Sequence, residues 1–343
     1  MVAKQRPATR GMLGNLMLAI FVAAVSVGIA ELAVRQFVPV RSVGAPVTVY
    51  DSIYRTRLKR NFSGIQITPE FRQRLSTNSM GYRGPEPTGS LKGALLYLGD
   101  SFTVGYGVND GEEYPALVAA RLTAMSASPV PYINAGRGNT GQSHWIKFLR
   151  REAAGYDPAF VVVQINETDF SDNLLDALLD VDSAGTITEL HVTRPGLGRI
   201  VQPVLDALPF VSSSYLYGLV RQAYFAFANR QEEGPPDPTM RGREDRRLVR
   251  LIEEVDRLCD EAGWRVLALR IALDDERDAL VDSLLTAHGI PSRKVAGRTE
   301  LPDLYYTVDG HWNAAGHKHA TDLILDLFAA TDSAWQTRLK TAY

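Results

Sequence analysis

From Ala94 onward the chain alternates short apolar runs with longer amphipathic ones, and this alternation constrains its fold more than any other feature. The short runs are Ala94-Leu95-Leu96-Tyr97-Leu98, Pro131-Tyr132-Ile133-Asn134, Phe160-Val161-Val162-Val163-Gln164-Ile165 and Arg265-Val266-Leu267-Ala268-Leu269-Arg270-Ile271. Runs of this length, apolar throughout and rich in β-branched residues in the third, read as buried strands. Glu112–Met125, Trp145–Ala154, 247–262 (ending at Gly263) and 314–330 carry apolar residues at helical spacing instead. Strands alternating with helices form right-handed βαβ units, so the expected fold is α/β, a three-layer arrangement around a central parallel sheet. Residues 174–245 interrupt the alternation with Phe210, Tyr215, Tyr217, Tyr224, Phe225 and Phe227, followed by a polar stretch at Gly234-Pro235-Pro236. They read as an insertion on the rim of the sheet, its aromatics forming either a lid or acyl pocket, or part of the core.

The N-terminus has a different character. Lys4, Arg6 and Arg10 precede Met12–Ala30, 19 residues without a charge. At ~1.5 Å per residue such a helix reaches ~28 Å, close to the ~30 Å hydrocarbon core of a bilayer. Leu32, Val34, Phe37 and Val38 extend the apolar character beyond Glu31, with Arg35 among them. Basic residues ahead of a first span keep that end in the cytoplasm. The expected organisation is a cytoplasmic tail at 1–10, a transmembrane signal anchor at 11–36, a connecting arm at 37–93 and the α/β domain at 94–333, with its insertion at about 174–245. A cleaved signal peptide is the alternative, with Gly28 and Ala30 supplying the small residues of the cleavage site, but its apolar region would be shorter. A buried core helix fits less well, because the segment is apolar all round and sits at the chain end.

Composition narrows the function. Lys and Arg total 37 against 39 Asp and Glu, a net charge of −2, so the basic excess of a nucleic-acid partner is missing. Cys259 is the single cysteine, which excludes an internal disulfide and a Cys-rich zinc module.

Four strings carry chemistry. Gly99-Asp100-Ser101 follows the first strand, and carboxyl ends of strands are where open α/β sheets bind ligands. A serine on such a turn exposes its hydroxyl and becomes a nucleophile if a base is near. Near the C-terminus, Asp309-Gly310-His311-Trp312-Asn313 offers an imidazole to take the hydroxyl proton and a carboxylate to hold its tautomer, with Asn313 as a helix cap. His311, His317 and His319 also invite a metal reading, but 317 and 319 are two apart on a helix and point to different faces, so no metal site is expected. The remaining strings, Asn134-Ala135-Gly136-Arg137-Gly138-Asn139-Thr140-Gly141 and Asn166-Glu167-Thr168-Asp169-Phe170, follow the second and third strands. Both contain the backbone N–H groups, amides or hydroxyls that can hold an oxyanion.

In this order, from about Thr77 to Leu327, the four strings resemble the SGNH (GDSL-type) hydrolase superfamily. The approach Thr77-Asn78-Ser79-Met80-Gly81-Tyr82-Arg83-Gly84 and the Asp-x-His-Trp-Asn string resemble a membrane-anchored branch that includes acyl-transferring members. The resemblance implies that Ser101 is the nucleophile, His311 the base and Asp309 its orienter, with the Ser101 N–H and Gly138 in the oxyanion hole. It implies no cofactor or metal. Two departures stand out. The acid lies two residues before the histidine, where many members have three. The third string has Thr168-Asp169 where the family has Asn-Asp, so Thr168 takes the oxyanion position by spacing. Asn166 is the better donor chemically, because an amide can point its NH₂ at the oxyanion while its carbonyl is held elsewhere. The expected protein is a serine esterase of a bacterial cytoplasmic membrane, acting outside the cytoplasm on acyl esters of envelope glycans or lipids. An O-acyltransferase working with a membrane acyl-transfer partner, and a non-catalytic glycan-binding protein of the same fold, are the alternatives.

Overall fold

The structure is a computed structural model that describes residues 9–126, 128–192, 208–232 and 239–331. Lys4, Arg6, the Gly234-Pro235-Pro236 stretch and the domain's last residues, 332–333, lie outside the described residues. The elements in chain order are α1 (Thr9–Phe37), the hairpins β1–β2 (Thr48–Asp51, Arg55–Leu58) and β3–β4 (Ser63–Ile67, Arg72–Ser76), then β5 (Leu95–Leu98), α2 (Ser101–Val104), α3 (Tyr114–Ala124), β6 (Tyr132–Asn134), α4 (Gln142–Arg151), β7 (Phe160–Asn166) and α5 (Asp169–Leu175). The hairpin β8–β9 (Leu179–Val181, Ile187–Glu189), α6 (Pro209–Ser212), α7 (Tyr215–Glu232), α8 (Met240–Ala262), β10 (Arg265–Ile271), α9 (Asp275–Ala287), β11 (Ser292–Val295) and α10 (Ala314–Thr331) follow among the described residues.

Five strands form one parallel sheet in the order β11-β10-β7-β5-β6. Alternation along each strand splits the core into two layers. Leu95, Tyr97, Phe160, Val162, Leu267 and Leu269 pack against α3 and α10. Leu96, Leu98, Val161, Val163, Ile165 and Ala268 pack against α4 and α8. Burial on both faces explains why these strands read as continuous apolar runs rather than alternating ones. The fold is therefore α/β with three layers and a parallel sheet, as expected. From β5 the chain moves to β6 on one side, then returns to β7 on the other. The topological switch thus lies between the carboxyl ends of β5 and β7, where Ser101 and Asn166 stand.

The edge strand β11 and helix α9 were not anticipated. In Ser292-Arg293-Lys294-Val295 only Val295 is buried, so the strand carries no hydrophobic run. Helix α8 begins at Met240, inside the segment read as an insertion. Phe210, Tyr224 and Phe227 are exposed, so the core reading fails for these three. Among the described residues one helix is long and apolar enough to cross a membrane, Met12–Phe37 within α1, whose most apolar 18-residue stretch has a mean hydropathy of 2.4.

The arm at 37–93 is built into the domain. Tyr54, Phe71, Leu75 and Tyr82 are buried. Arg83 is 1% exposed, and its guanidinium donates to the carbonyls of Val104 (2.8 Å), Gly105 (2.5 Å) and Val108 (2.8 Å) at the end of α2. Glu113, itself buried, lies 3.6 Å from Arg83 Nε and balances the charge.

Candidate active site

The turn that presents Ser101 is set by its neighbours. A Cβ at Gly99 would lie 2.1 Å from Thr103 Oγ1 and 2.6 Å from Gln164 Oε1, so only glycine lets the chain leave β5 this tightly. Asp100, buried, accepts from the Phe102 N–H through Oδ1 (2.9 Å), and Ser101 opens α2. Across the sheet edge, Arg137 N–H donates to the Gly99 carbonyl (3.0 Å), which pins the Gly136–Thr140 loop beside the Ser101 turn. Gly138 consequently faces Ser101: a Cβ added there would sit 3.7 Å from the serine Cβ.

His311 arrives from the loop before α10. Trp312 is fully buried against Phe102 and Tyr114, and Asn313 caps α10 by accepting from Ala315 N–H at 2.9 Å. These two residues fix the loop on either side of the helix start, and Gly310 adopts φ +84° so that the chain folds Asp309 back toward the ring. His311 Nε2 lies 2.7 Å from Ser101 Oγ, and Nδ1 lies 2.5 Å from Asp309 Oδ1. The imidazole is held between the rings of Phe102 and Tyr106, with centroids 4.9 and 4.8 Å away. A carboxylate at Nδ1 selects the tautomer whose Nε2 accepts, which is what a hydroxyl nucleophile needs from its base. His317 is separate from this chain of contacts. It is buried beneath Tyr114, accepts that residue's backbone N–H through Nδ1 (3.3 Å), and burial pushes its pKa down to about 3.

The third string is the one that sequence left open. Asn166 ends β7 and is buried. Its Oδ1 accepts the backbone N–H groups of Thr168 (2.9 Å) and Asp169 (3.2 Å), while Nδ2 donates to Asp100 Oδ2 at 2.6 Å. The Asn166 side-chain carbonyl is thus engaged, and the amide NH₂ lies beside Asp100, the residue before Ser101, with a second hydrogen to give. Thr168 is exposed, and its hydroxyl lies 3.0 Å from both Asn166 Oδ1 and Asp172 Oδ2. Behind them Asp169 is fully buried and accepts from Gln142 at 2.7 Å. Burial raises the pKa of Asp100, against hydrogen bonds from Phe102 N–H and Asn166 that lower it. Burial, then repulsion from Asp100, pushes the Asp169 carboxyl well above the usual carboxylate range.

Sequence reasoning missed a further group, Glu70, at the tip of the β3–β4 hairpin. Its carboxylate accepts the N–H of Val308 (3.0 Å) and of Asp309 (2.7 Å). Phe71, next to it, packs on Tyr106 and Tyr306. The hairpin therefore clamps the loop that carries Asp309. No local signal marks Glu70, since one glutamate between two polar strands looks like any exposed turn.

A serine–histidine–carboxylate chain at the switch point of a parallel α/β sheet is the equipment of an acyl hydrolase. The GDSL-like lipase/acylhydrolase family model matches residues 97–319, well over half of the chain, and the chain belongs to this family of ester hydrolases. No curated protein matches it. Similar solved structures include a lipase/acylhydrolase from Enterococcus faecalis, 15% identical over 68% of this chain and 95% of that one, with a TM-score of 0.39. A GDSL-like lipase from Bacteroides thetaiotaomicron is 12% identical over 70% of this chain and 89% of that one, with a TM-score of 0.40. The esterase EstA from Pseudoalteromonas sp., in a structure inhibited by monoethylphosphonate, is 13% identical over 68% and 96%, with a TM-score of 0.40. Glu70 and Arg83 both precede the residues that the family model matches.

Proposed function

We propose that this chain is a serine-dependent ester hydrolase held in a bacterial cytoplasmic membrane by α1, with its catalytic domain outside the cytoplasm, acting on acyl esters of envelope glycans or lipids. The observation that carries the chemistry is the unbroken chain from Ser101 Oγ through His311 to Asp309. Ser101 Oγ attacks the ester carbonyl as its proton passes to His311 Nε2. The backbone N–H groups of Ser101 and Gly138 and the Asn166 amide hold the tetrahedral oxyanion. Collapse expels the alcohol, which takes the proton from His311 and leaves the acyl group on Ser101. Water, activated by the same imidazole, then releases the acid; a sugar hydroxyl in place of water would make the same acyl-enzyme an acyl donor. The location rests on the length and hydropathy of Met12–Phe37 and on the basic residues Lys4, Arg6 and Arg10 before it. A fluorophosphonate applied to the full-length protein in membranes tests both parts. The adduct should map to Ser101 and stay with the membrane after a high-salt wash; a labelled product released in soluble form would overturn the anchor.

The oxyanion assignment makes its own prediction. Asn166→Ala should lower kcat by on the order of 10²–10³ with little change in KM, because its hydrogen bond strengthens only as charge develops. Thr168→Val should leave kcat within a few-fold, since its hydroxyl is spent on Asn166 and Asp172. Steady-state kinetics on an aryl acetate check both, and a large kcat loss in Thr168→Val alone would move the role to the threonine.

Glu70 is a positioning residue for the acid. Glu70→Ala frees two backbone N–H groups and loosens the Asp309 loop, and a misplaced catalytic group costs up to ~10² in rate. The expected result is a kcat loss of about 10- to 100-fold at nearly constant KM, with a circular dichroism spectrum like that of the parent protein. An equal rise in KM would mean that the hairpin binds substrate instead.

A further inference from the structure

The chain that leaves α1 lies against α7 and frames a charged cavity there. Gly218, Arg221 and Gln222, at i, i+3 and i+4, share the face of α7 that meets this chain. A Cβ at Gly218 would lie 2.7 Å from Val40 Cγ1 and 3.2 Å from the Ser42 carbonyl oxygen, so glycine permits the close approach. Gln222 Oε1 accepts the Arg41 N–H (2.9 Å), Arg221 donates to the Ser42 carbonyl (2.9 Å), and Gln66 of β3 donates to Ser42 Oγ (2.8 Å). The cavity they frame measures about 440 Å³ and is lined mainly by Arg41, Ser42, Gln66, Arg221 and Gln222. Among the described residues no carboxylate lines it, and neither guanidinium has a carboxylate partner. The bond to Ser42 takes up only part of Arg221, so most of the N–H donors of both arginines are open to a ligand.

Two guanidinium groups with no acid between them suit a phosphate, because each presents a planar fork that matches two of its oxygens. Position says where such a phosphate comes from. Glu31 of α1 accepts from Ser214 Oγ (2.6 Å) and from the first N–H groups of α7, those of Tyr215 (2.7 Å) and Leu216 (2.9 Å). From Met12 to Glu31 a helix rises ~28 Å, so a span that enters the hydrocarbon at Met12 leaves it at about Glu31. The start of α7 is therefore fixed at the level where acyl chains meet headgroups. Arg221 follows six residues later, within ~9 Å along the helix axis, and the headgroup layer is itself ~5–7 Å deep. Basic side chains at this level attract anionic lipid. The cavity also adjoins the catalytic centre. Burial and Asp309 push the pKa of the Tyr106 hydroxyl up and Arg221 opposes them, so the guanidinium acts on the ring that packs on His311 at 4.8 Å.

We propose that the Arg41–Arg221 cavity binds the phosphate of an anionic phospholipid headgroup where the anchor leaves the membrane. The proposal rests on α1 being a membrane anchor. The amides beside the arginines complete the site. Gln222 is engaged through its Oε1 and keeps its NH₂, and Gln66 keeps one N–H, for the remaining phosphate oxygens or the headgroup hydroxyls. A lipid held there places its headgroup near Tyr106, at the rim of the site that contains His311.

The test titrates the full-length protein in detergent with phosphatidylglycerol or phosphatidylcholine and counts bound lipid by native mass spectrometry. The parent should bind phosphatidylglycerol more tightly than phosphatidylcholine, whose choline cancels the phosphate charge. Arg41→Gln combined with Arg221→Gln should weaken phosphatidylglycerol binding by on the order of ten- to thirty-fold, the scale of two basic residues at an anionic surface. Arg41→Gln alone, which removes no side-chain bond among the described residues, should weaken it about five-fold and keeps the test valid if the double variant misfolds. Arg121→Gln with Arg293→Gln removes the same charge outside the cavity and should bind as the parent does. Equal affinity in the parent and the cavity variants, or an equal loss in the control, would overturn the site. Displacement of the lipid by an equal concentration of inorganic phosphate would assign the cavity to a free anion and overturn the lipid source. Flotation with phosphatidylcholine vesicles reports the anchor separately. Parent and cavity variants should all float, and a parent that stays in solution would overturn the anchor reading beneath the proposal.

Discussion

Ser101→Ala should abolish fluorophosphonate labelling and lower kcat on an aryl acetate by on the order of 10⁶, the scale seen when a triad nucleophile is removed elsewhere. The hydroxyl is the only atom lost, and Asp100 keeps its hydrogen bonds from Phe102 and Asn166, so the fold has no reason to change. His311→Ala should produce a comparable loss, because Ser101 Oγ is then left without the acceptor 2.7 Å away. The double variant should be little worse than either single one, since the two act as a unit. Turnover that survives Ser101→Ala at the parent rate would remove the proposed mechanism.

Asp309→Asn should cost on the order of 10⁴ in kcat with the structure preserved. The side chain is about a quarter exposed and its loss of charge strands no buried partner. The damage is to the proton inventory of His311. An amide at 309 can turn its NH₂ toward Nδ1, and the ring then carries its proton on Nε2, where it faces Ser101 and cannot accept. The loss should greatly exceed that in Glu70→Ala, because Glu70 positions the loop while Asp309 touches the imidazole itself. A loss in Asp309→Asn no larger than in Glu70→Ala would show that the carboxylate only shapes the loop. The pH profile of kcat for both variants separates the two roles: a changed tautomer alters its shape, whereas a loosened loop scales it.

Local chemistry is enough to read four of the five strands of the parallel sheet. Phe160–Ile165 reads as a strand because six consecutive positions buried on both faces of the sheet favour apolar residues on both sides of the chain. Gly99-Asp100-Ser101 and Asp309-Gly310-His311 are equally local, since each needs a tight turn, and the second a left-handed glycine, at a strand or helix boundary. The order of these strings along the chain was sufficient to suggest the fold and the family. Ser292–Val295 shows the limit: an edge strand with one buried side chain leaves no pattern to read.

Direction and distant contact belonged to the tertiary structure. The sequence favours Asn166 over Thr168 only narrowly, because a side chain leaving a strand end is aimed by its partners and not by alternation. Asp100 and the backbone of Thr168 and Asp169 hold the amide beside Asp100, the neighbour of Ser101 in the chain, and Asp172 occupies the threonine. Glu70 and Arg83 act across gaps of 239 and 21–25 residues on groups they do not adjoin in sequence. The same holds for α7, whose aromatics the sequence could place in a core or on a rim. Composition states how apolar a face is; only packing decides which face finds a partner, since the hydrophobic effect has magnitude but no direction.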